Sequence, residues 1–169
     1  MTFCFCAGIS AAPDVATLPK DTPYTDDATG MVFPAKIGKF TKTGVTKNLN
    51  PYYGTAIRYA NDYGSSADVY IYALDMKGEK LTAGRALAHY GAVRKNIEQL
   101  TGKSVPLGDI TVLAESDLRI FPPAGKGQPE SVLTGRRCSF SFSLGEDPFF
   151  SELLIFPSGT RIVKVRITY

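Results

Sequence analysis

Cys138-Ser-Phe-Ser-Phe-Ser-Leu144 alternates without a fault. Cys138, Phe140, Phe142 and Leu144 take every second place, with serines between them. Successive side chains of a strand point to opposite faces, so this spacing sends the apolar set inward and the hydroxyls outward. Upstream, Pro122 to Gly135 reads as a Pro/Gly-rich loop, and before it Ile110–Ala114 and Leu118–Phe121 read as two strands around a Glu115-Ser-Asp turn. Downstream, Leu153–Phe156, the turn Pro157-Ser-Gly159 and Arg161–Tyr169 predict a terminal hairpin. In its last strand Val163, Val165, Ile167 and Tyr169 face one way, Lys164, Arg166 and Thr168 the other.

Nearer the N-terminus the strand pattern recurs. Met31–Phe40 carries Val32, Phe33, Ile37 and Phe40, with Pro34 and Gly38 marking a bent or edge strand. Val45–Leu49 follows a turn at Thr43-Gly44. Gly54–Tyr63 and Ala67–Leu74 read as a hairpin turning at Asp62–Ser66. Large side chains on both faces of Ala67–Leu74 predict a central strand covered on both sides. Between the two groups of strands lies one helix, about Thr82 to Thr101. Leu87, Tyr90, Val93, Ile97 and Leu100 recur there at spacings of three and four. Thr82 is its N-cap and Gly102 its stop. Gly84 and Gly91 weaken the helix, so packing on the sheet must hold it.

Strands, one helix, then strands define an α+β domain: a twisted antiparallel sheet of about seven or eight strands packed by one main helix. A chain of 169 residues, 44% hydrophobic and 21% charged, suits one folded domain over residues 30–169. Nine Tyr and ten Phe lean toward strands. Residues 13–29 read as a flexible leader rich in Pro, Asp and Thr. The net charge of +3 is too small for an electrostatic case for nucleic acid. Four aspartates against one lysine give −3 through Gly30, leaving +6 on the body.

Residues 1–12 are apolar and rich in small residues. They read as the end of a secretory segment with cleavage near Ala11 or Ala12, or as a plain buried strand. Export predicts a periplasmic or extracellular protein, and a true start at Met1 a cytoplasmic one. Cleavage would remove Cys4 and Cys6 and leave Cys138 without a disulfide partner. No stretch approaches the roughly 20 apolar residues that span a bilayer.

Thr29-Gly-Met-Val-Phe-Pro-Ala-Lys-Ile-Gly-Lys-Phe40, Ala67-Asp-Val-Tyr-Ile-Tyr72 and Val163-Lys-Val-Arg-Ile-Thr-Tyr169 resemble exported bacterial proteins of uncharacterised activity with a PsbP-like α/β/α sandwich. The resemblance covers Thr29 onward and implies a twisted antiparallel sheet with helices on both faces. Proteins of this kind continue past the last strand into a closing helix, whereas Tyr169 ends this sequence. The expectation is a truncated C-terminus or a partly bare sheet face that takes a partner.

The residues point to no catalytic centre, metal site or cofactor. His89 is the only histidine, and a metal site needs three or four converging ligands. Cys138, among core phenylalanines, reads as a small buried hydrophobe. The serines form no Gly-x-Ser-x-Gly elbow, and Gly125-Lys126-Gly127 is too short for a phosphate loop. Glu115/Asp117 and Glu146/Asp147 read as solvated turn residues. Lys126, Arg136, Arg137, Arg161, Lys164 and Arg166 would form a basic zone near the last strands, open to an acidic partner. Tyr59, Tyr70 and Tyr72 read as core aromatics; Tyr52, Tyr53 and Tyr63, placed in turns, would be exposed recognition anchors.

The expected binding set is therefore Tyr52, Tyr53, Tyr63, Arg136, Arg137, Lys164 and Arg166. The function it suggests is an exported, non-enzymatic binding or accessory module that meets a protein or envelope partner through its sheet face or aromatic loops. A homodimer through an exposed sheet face is the self-association it allows. The alternatives are a hydrolase using carboxylates or Lys/Tyr, and an intracellular inhibitor or immunity-type protein.

Overall fold

In the computed structural model, which describes residues 15–48, 50, 52–74, 79–99, 108–120 and 132–169, the alternating stretch lies within β9 (Leu133–Leu144). A tight turn with Gly145 at φ +64° returns the chain as β10 (Asp147–Ser158). A second, with Gly159 at φ +61°, starts β11 (Arg161–Thr168). Glycine adopts these left-handed values without the Cβ penalty. On the outer side of β9 runs β8 (Thr111–Ile120). It is one strand, where the sequence predicted two around a turn at Glu115-Ser-Asp. A register shift between Val112 and Ala114 absorbs the irregularity. Glu115 and Asp117 stay in the ladder because Arg94 and Arg136 hold their carboxylates.

β11 also pairs with β7 (Ser66–Tyr72), which pairs with β6 (Thr55–Ala60) and that with β5 (Phe40–Asn48). β5 is likewise continuous: the turn expected at Thr43-Gly44 is a register shift between Lys42 and Gly44. Two short strands, β1 (Val15–Leu18) and β4 (Lys36–Ile37), share the outer edge of β5. The result among the described residues is a nine-stranded antiparallel sheet, against seven or eight expected. The additions are pieces that sequence alternation cannot show: β4 is two residues long, and β1 lies in the segment read as a leader.

Adjacent residues of β11 belong to different cores. Val163 joins Val45, Ile57, Val69, Ile71 and Phe156 on one face, while Ile162 joins Cys138, Phe140, Leu153 and Ile155 on the other. Full burial of each such aliphatic side chain contributes about 1.5–3 kcal/mol. The first face is covered by a two-stranded ribbon of β2 (Tyr24–Thr25) and β3 (Val32–Phe33). Lys42, only 1% exposed, pins it: its ammonium donates to the carbonyls of Thr22 and Phe33. Tyr59 adds a hydrogen bond from its hydroxyl to the Pro34 carbonyl at 2.9 Å.

The second face carries α1 (Ala83–Glu98), the sole helix among the described residues. Thr82 caps it, accepting from the Arg85 N–H at 3.2 Å, as its position before the periodic run predicts. The buried stripe is Ala86 and Tyr90, with Val93 and Ile97 packed against the same core. Leu87, expected on that stripe, is 53% exposed instead. At 100° per residue it falls to one side of the Ala86–Tyr90 line, and His89 falls to the other. Gly102 and Leu100 lie outside the described residues.

Candidate functional site

The helix packs on β9 and β10, so it covers only part of its face. Beside it, on β6, β7 and β11, the same face is polar and aromatic. The register sets Lys164 opposite Tyr70, and Arg166 opposite Asp68, which in turn faces Arg58 across β6. Lys164 Nζ sits 4.3 Å from the centre of the Tyr70 ring and 5.9 Å from that of Tyr72. Such cation–π contacts hold an ammonium without cancelling its charge. Arg166 lies over Phe140 and Phe142, its Nε donating to Ser151 Oγ at 3.3 Å. Arg58 Nε is 3.6 Å from Asp68 Oδ1.

His89 closes the row from the helix side. Its Nε2 is 2.6 Å from Tyr72 Oη, with the two rings edge to face. Burial raises the Tyr72 phenol well above its ordinary range. Burial, then Lys164, hold the His89 imidazole below its ordinary 6.5. At neutral pH a protonated phenol thus faces a neutral ring, and the phenol donates the hydrogen bond. Burial, then Arg166, push the Lys164 ammonium below its usual range, with Asp68 opposing. No ion pair to Lys164 or Arg166 forms among the described residues. Three cations therefore meet one carboxylate on a half-buried, aromatic-walled surface.

Such a surface suits anions. Partly desolvated cations interact more strongly than fully hydrated ones, and the aromatic walls fix their positions. Among the described residues no group of three or more His, Cys, Asp or Glu converges as a metal site would require. Cys138 is buried and its thiol is raised by that burial, which disfavours the reactive thiolate.

The expected binding residues are separated by the fold. Tyr52 and Tyr53 stand 53% and 66% exposed in the β5–β6 loop, their rings edge to face at 5.7 Å. Tyr63, 77% exposed, lies in the β6–β7 turn with Lys39 over its ring. These loops sit at opposite ends of β6 and make no common patch. Arg136 shares the helix-side face, but Asp117 and Glu115 already hold it. Arg137 points to the opposite face and pairs with Glu152. Arg161, on that opposite face too, lines a separate cavity with Asp26 and Asp27. Lys126 lies outside the described residues. Only Lys164 and Arg166 of the basic zone come together unpaired. Tyr70 and Tyr72, read from sequence as core aromatics, complete their site together with His89.

A scan against protein-family models matches none to this chain, and no curated protein matches it. Among the described residues no helix is long and apolar enough to cross a membrane. The class that fold and site define is thus an α+β domain, mostly antiparallel sheet, with a cationic and aromatic face beside one helix.

The His89 environment carries a pH prediction. An unfolded chain takes a proton on this ring as pH falls below about 6.5, while the folded chain resists until its own lower value. The unfolded state thus binds protons first, and His89 lowers stability as pH falls below that point. Urea midpoints at pH 7.5 and 5.5 should drop more for the wild type than for His89→Gln. Equal drops would contradict a desolvated, neutral His89.

Proposed function

We propose that this chain is a non-enzymatic binding or accessory module that engages an acidic polypeptide partner through the sheet face beside α1. The observation that carries the reading is the row of Arg58, Lys164 and Arg166 against one carboxylate, with Lys164 set between tyrosines instead of acids. A folded protein has no need to keep partly buried cations without counter-charges, whereas an acidic partner would supply them. A second copy would present the same cations, so a homodimer through this face is disfavoured. The apolar character of residues 1–12 and the PsbP-like resemblance support export and an accessory role.

A synthetic Glu-rich peptide tests the reading. It should bind the full chain with an affinity that falls steeply from 50 to 300 mM salt, while a Lys-rich peptide of equal length should not bind. Equal binding of both, or none, would overturn the proposal. The Lys/Tyr hydrolase is the second reading, favoured by the lowered Lys164 ammonium beside the Tyr72–His89 pair. It requires ester turnover that disappears in Lys164→Ala.

A further inference from the structure

The other flank of α1 holds a cavity of about 260 Å³ between the first half of the helix and strands β8 and β9. This is just below the usual range of ligand pockets, roughly 300–1,000 Å³, and suits a small molecule. It lies across the helix from the Lys164 row: Leu87 points to its side and His89 to the other. Ala86, Leu87 and Ile155 give it an apolar wall; Asp117, Arg119, Thr134 and Arg136 give it a polar one. Gly135 sets how closely the strands that floor it pack. A Cβ there would stand 2.2 Å from the Ile155 carbonyl oxygen and 2.6 Å from Phe156 Cβ, so β9 presses onto β10 as no other residue would permit.

The polar wall is unevenly charged. Asp117 is engaged by Arg136 Nη1 at 2.7 Å, whereas Arg119 forms no ion pair among the described residues. Arg136 is held through both Nη atoms, by Asp117 and by Glu115 at 3.3 Å, so Arg119 is the guanidinium left to meet a ligand. The first turn of α1, which supplies Ala83 to the cavity, contains no acidic residue to offset the positive end of the helix. Arg119 and the positive end of the helix thus border an apolar space whose carboxylate, Asp117, is already held by Arg136.

We infer that this cavity is a binding site for a small amphipathic carboxylate, its apolar body against Ala86, Leu87 and Ile155 and its carboxylate toward Arg119. This site is separate from the acidic-partner face and stands without it.

Benzoate, benzyl alcohol and benzylamine share one ring and differ in head group, so they separate charge recognition from apolar filling. Titrated into the full chain, benzoate should shift the amide resonances of Ala86, Leu87, Arg119 and Gly135 saturably, with a Kd on the order of 1 mM. Benzylamine should leave them in place. Arg119→Glu should weaken benzoate at least tenfold while sparing benzyl alcohol. Leu87→Trp, at an exposed position, should plug the mouth and abolish both. Lys164→Glu/Arg166→Glu should leave benzoate binding unchanged, which separates this site from the acidic-partner face. No benzoate shift at these residues, equal binding of benzylamine, or full binding in a folded Leu87→Trp variant would overturn the inference.

Discussion

Gly54→Ala should destabilise the protein by about 4 kcal/mol, the sum of a left-handed backbone penalty and an overpacked contact. Gly54 has φ +64°, and a Cβ on it would stand 1.8 Å from the Ile71 carbonyl oxygen and 2.8 Å from Tyr72 Cα. Both obstacles are backbone, so no rotamer change relieves them. The glycine lets the β5–β6 loop close against β7: its N–H donates to the Asn50 carbonyl at 3.1 Å, and its carbonyl accepts from the Asn48 N–H at 2.9 Å. In a domain of this size the thermal midpoint should fall by roughly 8–16 °C. Gly64→Ala is the control, because φ there is +81° but nothing lies within 4 Å of the added Cβ. It should cost only about 1 kcal/mol. Equal midpoints for the two variants would contradict the close approach of β6 to β7.

The second large effect is on binding. Lys164→Glu/Arg166→Glu turns two attractive charges into repulsive ones on the face beside α1. At about 1 kcal/mol for each unit of charge changed near a partly screened surface, the Glu-rich peptide should lose about 3 kcal/mol or more. That is at least a hundredfold in affinity. Arg137→Glu, on the opposite face, should change affinity by less than about threefold, once allowance is made for net charge. The double variant must keep the thermal midpoint of a folded chain for the loss to be read as binding. The Lys164 ammonium is held low by its surroundings, so replacement at that point relieves a desolvated charge as well as reversing it.

Much of the architecture was legible in local pattern. Cys138 and Phe140 are buried as the alternation required, and Thr82 caps the helix where the periodic run begins. Local composition misled where distant charges intervened. Glu115-Ser-Asp has turn chemistry, yet Arg94 and Arg136 draw its carboxylates into a strand. Leu87 has the spacing of a core residue but marks the mouth of a cavity, because the wall opposite it is formed by β8. The candidate site was less legible. Lys164 and Arg166 were visible as the polar side of β11. Their meeting with Tyr70, Tyr72 and Asp68 depends on the β7–β11 register, which crosses one helix and three strands of intervening chain. No short-range signal specifies it. The two tyrosines had equally good reasons to be core, and only the partial cover by α1 leaves their face available.

The central claim is that partner recognition uses the face beside α1, away from the aromatic loops. Mapping the amide and side-chain resonances of the full chain during titration with the Glu-rich peptide tests this most directly. The expected result is saturable shifts at Arg58, Tyr70, Lys164 and Arg166, with Tyr52, Tyr53 and Tyr63 unmoved. Shifts confined to those three tyrosines and their loops, with Lys164 and Arg166 unmoved, would contradict it.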